Sequence, residues 1–302
     1  MNKANKTPFN FGGIESEYSE YGKAKIVFIP VPYDLTATYI SGARNGPKAI
    51  IDASHHMELY DEEIGKETYR VGISTREPLD VTNKNPEDML DMVSKAVSSE
   101  VDSQKYQVVV GGEHSISLGV VKELVKKYPN LSVLQLDAHA DLRNSYDDTP
   151  YNHACVGRRI SEMCPLVQVG VRSISKEEVD FKKSSKVVTI SDYEVQQEQK
   201  WYEKALDNLT DDVYLTIDLD VLDPAIMPSV GTPEPGGLNW HETIRFLRMI
   251  SKEKRIVSFD LVELTPQSGN VAPDFLAAKL MYRIERLVMK CLNPSYFRIN
   301  SA

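Results

Sequence analysis

The sequence predicts a single α/β domain in three layers: a mainly parallel β-sheet with helices on both faces. Three observations carry that prediction. Runs rich in branched apolar residues, which read as buried strands, alternate with segments of helical periodicity from Lys25 to Leu292, and parallel strands require such crossovers. No Pro/Gly/Ser linker or composition break divides the 302 residues, so one large domain is expected. At 41% hydrophobic and 26% charged residues, the chain can bury a large core and lacks the bias of disordered or fibrous proteins.

In chain order, residues 1–22 are expected to form an irregular arm, with Phe9, Phe11, Tyr18 and Tyr21 available to lie on the body or on a neighbouring subunit. The domain proper spans 23–302. Lys25–Ile29 is the first strand, and Pro30 and Pro32 should end it because they lack an amide donor. A loop from Tyr33 to Gly46 precedes Pro47, which suits the first turn of a helix running to about Tyr60. His55 and His56 fall in that helix and read as surface or packing residues, since no acidic or sulfur ligand stands at metal spacing beside them. Pro86–Val101 is helical, with Met89, Leu90, Met92, Val93, Ala96 and Val97 recurring three and four apart.

Strand Gln107–Val110 ends in Gly111-Gly112, which lets the chain turn sharply, and Ser115 is expected to cap a helix through Tyr128. Ser132–Leu136, Leu166–Val171, Lys186–Ile190, Val213–Ile217 and Arg255–Asp260 are the remaining strands. Helices are expected from about Ser175, from Asp192 to Asn208, from Trp240 to Lys252 and from Pro273 to about Leu292.

A formal net charge of −9 argues against a nucleic-acid surface and is compatible with a cationic partner. The polar start Met1–Lys6 is followed by no signal-peptide core, and no apolar run could span a membrane, so a cytoplasmic location is expected. Cys155, Cys164 and Cys291 are odd in number and lack Cys-x-x-Cys spacing; they read as reduced, packed thiols. No glycine-rich dinucleotide or triphosphate loop follows a strand.

Chemistry concentrates at three strand ends. Asp137-Ala138-His139-Ala140-Asp141 follows one strand and, if the backbone stays extended, its three ligating side chains share a side. Asp218 and Asp220 follow a second, and His114 follows the glycines of a third. Ligands of parallel sheets bind outside the carboxyl ends of strands. Four aspartates offset two divalent cations, whereas one cation would leave four anions repelling one another. Carboxylate and imidazole donors without thiolate suit manganese, with iron, cobalt or zinc possible and calcium disfavoured.

Gly111-Gly112-Glu113-His114, Asp137–Asp141, Asn152-His153-Ala154, Thr216–Pro224 and Ser258–Glu263 resemble, in order, the signature segments of the ureohydrolase (arginase/agmatinase) family. The resemblance runs from about Lys25 to about Leu287 and is nearest the agmatinase branch. It implies an arginase-like fold and two Mn2+ per subunit. His114, Asp137, Asp141 and Asp218 would surround one ion, and His139, Asp137, Asp141, Asp218 and Asp220 the other. By the same resemblance His153 transfers a proton, Asp141 hydrogen-bonds the attacking hydroxide, Glu263 holds the guanidinium with Thr232 nearby, and the chain forms a homo-oligomer of three or six subunits. The implied reaction is hydrolysis of a guanidino group to urea and an amine, agmatine to putrescine first, with aminopropylagmatine, arginine or guanidinobutyrate as alternatives.

The segment 142–152 is shorter than its arginase counterpart and carries two acids, Asp147 and Asp148. Either could attract a distal ammonium, or both are solvated turn residues, while Arg143, Asn144 and Ser145 could bind a carboxylate. Asn152 before the histidine, and Pro228-Ser229-Val230-Gly231 in place of a Gly-x-Gly, depart from the usual pattern. A non-catalytic, metal-binding regulatory relative is the reading from a different class; the intact ligand set with His153 and Glu263 weighs against it.

Overall fold

The computed structural model describes residues 9–198 and 200–292. Its strands are β1 (Ile26–Val31), β2 (Tyr60–Asp61), β3 (Lys66–Glu67), β4 (Ile73–Thr75), β5 (Tyr106–Gly111), β6 (Leu131–Leu136), β7 (Leu166–Val171), β8 (Val188–Ser191), β9 (Asp212–Asp218) and β10 (Arg255–Val262). Its α-helices are α1 (Ser16–Ser19), α2 (Gly46–Ser54), α3 (Pro86–Asp102), α4 (Ser117–Lys127), α5 (Val156–Ser161), α6 (Lys176–Ser184), α7 (Asp192–Gln197), α8 (Trp201–Asn208), α9 (Trp240–Glu253) and α10 (Ala272–Leu292).

Eight strands form one sheet in the order β4-β1-β5-β10-β9-β6-β7-β8, and every pairing within it is parallel. Successive residues of a strand enter opposite layers. Ile26, Phe28, Val108, Val110, Leu134 and Leu136 join one apolar cluster with α2, α9 and α10. Val27, Ile29, Val31, Val109, Leu131 and Val133 join the other with α3, α4 and α5. Both faces of the sheet are therefore core, as the expected three-layer arrangement requires.

Local expectations differ from the structure in four places. Pro30 lies inside β1 instead of ending it. The carbonyls of Phe28 and Pro30 accept from Arg76 and Leu79 on the β4 side, while those of Lys25 and Val31 accept from Tyr106 and Gly112 on the β5 side. The nitrogen of Pro30 thus faces beyond Thr75, where β4 has ended, and its missing N–H costs no ladder bond. The helix after Pro47 stops at Ser54, whose hydroxyl turns back to Ile51 O and accepts from the N–H of Gly12. The helix expected over 192–208 is split into α7 and α8, each with its own start. Ser115 does not cap α4: its hydroxyl donates to Glu113, and a 3-10 turn, His114–Ile116, precedes the helix.

Residues 9–22 run along the body. Phe11 is buried and stacks on Phe28 with centroids 4.5 Å apart, Tyr18 meets Tyr69 edge-on, and the Tyr21 hydroxyl donates to Glu100. The first eight residues of the expected arm and the side chain of Cys291 lie outside the described residues. Cys155 and Cys164 are unpaired, and burial pushes their thiols up to about 11 and about 12. Both are protonated and unreactive near neutrality. Among the described residues no helix is long and apolar enough to cross a membrane.

Candidate metal centre and its cavity

β5, β10, β9 and β6 are consecutive neighbours in the sheet, so their carboxyl ends form one continuous edge. His114 follows β5 after Gly111-Gly112. An added Cβ on Gly112 would stand 1.9 Å from Tyr33 O, so only glycine allows this close backbone crossing. Asp137, His139 and Asp141 follow β6, Asp218 closes β9 with Asp220 in the turn beyond, and Glu263 follows β10.

The extended run past Leu136 is only partly kept. The chain continues alongside β7, with Asp137 N–H donating to Val169 O and His139 bridging Ser173, but Asp141 turns into the left-handed region at φ 52°. Glu263 does the same at φ 67°. Non-glycine residues held there are strained, and such strain gathers at functional sites.

Two ligand groups result, His114/Asp137/Asp218 and Asp137/His139/Asp220, with Asp137 common to both. His114 Nδ1 lies 3.0 Å from Asp137 Oδ2, 3.3 Å from Asp218 Oδ2 and 3.4 Å from Asp141 Oδ2. His139 Nδ1 lies 2.8 Å from Asp220 Oδ2 and 3.7 Å from Asp137 Oδ1. Ligand atoms each about 2.1 Å from a common ion stand about 3.0–3.4 Å apart, between octahedral and tetrahedral angles. Despite this company, His114 Nδ1 is buried without a hydrogen-bond partner. A buried ring nitrogen facing three carboxylates is the arrangement a cation would complete.

The electrostatics agree. Burial, reinforced by repulsion from Asp137, pushes Asp141 up to about 7, and burial with the charges of Asp220 and Asp137 raises Asp218 well above the carboxylate range. Burial would lower both histidines, yet the surrounding carboxylates outweigh it, raising His114 and taking His139 to about 11. For Asp220 burial is outweighed by His139, and its pKa falls. Without added positive charge this edge must hold protons to keep its carboxylates together. Divalent ions would displace those protons, and the oxygen and imidazole donor set fits them.

A surrounding layer orients these groups. His114 Nε2 meets Thr216 Oγ1 at 2.9 Å, and Ser117 links Thr216 to the fully buried Asp260, which also accepts from Tyr214. Gln135 donates to Asp137, the Ala138 N–H to Asp220, and Arg172 holds the Asp220 carbonyl and the Glu234 carbonyl together. Glu234 Oε1 stands 3.8 Å from His139 Nε2. Sequence reasoning gave Thr216, Asp260, Gln135 and Glu234 no role. Thr216 and Asp260 lie inside quoted motifs, but their partners are distant in sequence and no local pattern marks them.

A cavity of about 170 Å³ lies over the edge, lined by His139, Asp141, Asp218, Asp220, His153 and Glu263 together with Arg143, Tyr146, Thr232 and Tyr39. Glu263 accepts from the His114 N–H at 2.6 Å. Burial and the neighbouring Glu113 push it up to about 8, so a cation in the cavity would be needed to keep it ionised at neutral pH. His153 follows Asn152, which caps its turn. Burial, aided by repulsion from His139, lowers its pKa to about 4. Its resting form at neutral pH is the uncharged imidazole.

Asp147 and Asp148 are not brought to this cavity. Both are exposed in left-handed conformations and line an adjacent cleft with Leu35, Pro86 and Glu87. Arg143 does line the cavity, its guanidinium 4.9 Å from the Tyr146 ring centroid. His55 Nε2 donates to Asn10 O at 2.7 Å, and His56 and His241 are exposed. Asn239 caps α9.

Comparison with known proteins agrees with this geometry. A family model described as the arginase family matches residues 24–285. N(1)-aminopropylagmatine ureohydrolase of Synechocystis sp. is 37% identical over 292 residues, covering 94% of this chain and 95% of the relative. Agmatinase of Pyrococcus horikoshii is 34% identical over 266 residues, covering 86% of this chain and 91% of the relative. The crystal structure of agmatine ureohydrolase of Thermoplasma volcanium matches with a TM-score of 0.81 and 31% identity, over 96% of this chain and 97% of that one. On the family match and the extent of these similarities, the chain belongs to the arginase family.

Proposed function

We propose that this chain is a two-metal ureohydrolase that cleaves a cationic guanidino compound, agmatine first, to urea and an amine. The observation that carries the reading is that two ligand groups sharing Asp137 border the same cavity as Glu263 and His153. His114, Asp137, Asp141 and Asp218 would hold one ion and His139, Asp220 and the shared aspartates the other; manganese suits the donors. Such ions supply Lewis acidity that makes water nucleophilic near neutral pH.

The remaining work falls to the protein. A guanidinium presents a planar fork of N–H donors, which pairs with a carboxylate; the Glu263 Oε2 faces Gly231, where an added Cβ would come within 4.0 Å. Glu263 would thereby fix the guanidinium carbon above the edge. Neutral His153 can take a proton released as water attacks and hand it to the leaving nitrogen, which cannot depart as an anion. Water and guanidinium then yield urea and an ammonium ion with protons balanced.

The N(1)-aminopropyl derivative of agmatine is the second reading, supported by relatives of that name at 34–37% identity. Arg143 at the cavity favours a guanidino acid such as guanidinobutyrate as the competitor. Urea release by manganese-loaded protein from agmatine, aminopropylagmatine, arginine and guanidinobutyrate tests all three. Preference for either amine supports the proposal, preference for an acid overturns the substrate class, and no urea from any overturns the reaction. A cytoplasmic homo-oligomer of three or six subunits is the accompanying proposal; it rests on family likeness and is tested by fractionation and light scattering.

A further inference from the structure

We propose that Thr36 is a positioning residue that sets which nitrogen of His153 carries the proton, leaving a basic Nε2 for the cavity. The inference rests on the reading of His153 as the proton carrier. Three groups meet at the Thr36 hydroxyl oxygen. The backbone N–H of His153 donates to it at 3.1 Å, His153 Nδ1 lies 3.2 Å away, and Glu113 Oε1 lies 2.6 Å away. Glu113 is fully buried and also accepts from the Thr36 backbone N–H at 2.7 Å and from the Ser115 hydroxyl at 2.6 Å.

A hydroxyl has one proton and two acceptor positions, and a carboxylate only accepts. The Thr36 proton is therefore committed to Glu113, and one acceptor position is taken by the His153 N–H. The position that remains can be filled only by a donor, so Nδ1 carries the ring proton. Since His153 lines the cavity and Nδ1 is turned to Thr36, Nε2 is the nitrogen left to accept a proton there. The opposite tautomer would present an N–H to the attacking water and could not accept its proton. Thr36, in the loop after β1, lies 77 residues from Glu113 and 117 from His153, so the tautomer is decided by three segments that meet only in the fold.

Two independent readouts test this. In metal-free, full-length protein carrying 15N in its histidine rings, the His153 signals are identified by their loss in His153→Asn. Protonation at Nδ1 is expected, and protonation at Nε2 overturns the inference. Thr36→Val keeps the shape and removes the hydroxyl. It should shift that ring signature and lower kcat at least tenfold, a fraction of the roughly 10²–10⁴-fold that a positioned acid–base group supplies, while KM stays within about twofold. Thr36→Ser should restore both. In a His153→Asn background Thr36→Val should cost no further activity; an equal loss in both backgrounds means that Thr36 acts through shape and overturns the inference. If wild type releases no urea, the functional reading fails while the ring signature still decides this one.

Discussion

His114 and His139 face the two different oxygens of Asp137, yet their surroundings are unlike. The His114 side chain is 1% exposed and the His139 side chain 23%. Behind His114 a closed relay of Thr216, Ser117, Asp260 and Tyr214 holds the ring. On His139, Nδ1 meets Asp220 at 2.8 Å and Asp137 at 3.7 Å, while Nε2 faces the partly exposed Glu234 3.8 Å away. Partners behind a ligand fix its orientation and strengthen its grip, so the inner ion should be held tightly and the outer one should exchange with solvent. Strand position is not the cause, since β5 and β6 flank the central pair β10 and β9 equally; what differs is the covering, a buried Thr216–Ser117–Asp260 relay on His114 against the partly exposed Glu234 on His139.

Several measurements would break or sharpen that contrast. Asp137→Asn removes the residue common to both groups, and it should abolish urea release and take metal content from two ions towards none. Retention of either ion with full activity would break the shared-ligand arrangement. His153→Ala lies outside both groups and serves as the control: kcat should fall about 10²-fold with both ions still present by elemental analysis. Loss of metal there would mean that His153 is a ligand. Thr216→Val should weaken the inner ion about 10–100-fold in a chelator titration, turning two separated release steps into one; an unchanged titration would remove the basis for the inner–outer distinction. Glu234→Gln should move only the earlier step, by a few-fold at most.

Smallest is a pH effect on stability. Burial lowers the His153 pKa in the fold to about 4, below the ordinary histidine value of 6.5. Between these values the unfolded chain binds the extra proton, so this contribution is complete above pH 6.5 and is lost as pH falls towards 4. The slope should be at most about 1.4 kcal/mol per pH unit. The difference between wild type and His153→Ala in denaturant titrations from pH 7 to 4.5 should shrink accordingly, and a constant difference would mean that His153 titrates normally.

What could be read in the chain depended on how local its cause was. β7 and α3 begin where expected because apolar runs and an Asn-Pro start are contiguous signals. His114, Asp137, His139, Asp218 and Asp220 were legible because parallel strands all point their ends at one edge, so ligands placed just after each strand must converge. Pro30 was misjudged because its cost depends on where β4 stops, a property of a neighbour. Asp147 and Asp148 illustrate the same limit. Their charge left open either a role at the substrate's far end or a solvated turn, and the structure places both, exposed and in left-handed turns, along the next cleft.

By itself the sequence determined the three-layer α/β class, the carboxylate and imidazole donor set and its order along the strands, because periodicity and strand-end motifs act within a few residues. Only the tertiary structure decided that His114 is sealed by Thr216 and Asp260 while His139 is open, and that Thr36 and Glu113 stand behind His153. Each of those depends on side chains from separate strands and loops meeting at hydrogen-bond distance, and such distances exist only once the sheet has placed its strand ends side by side.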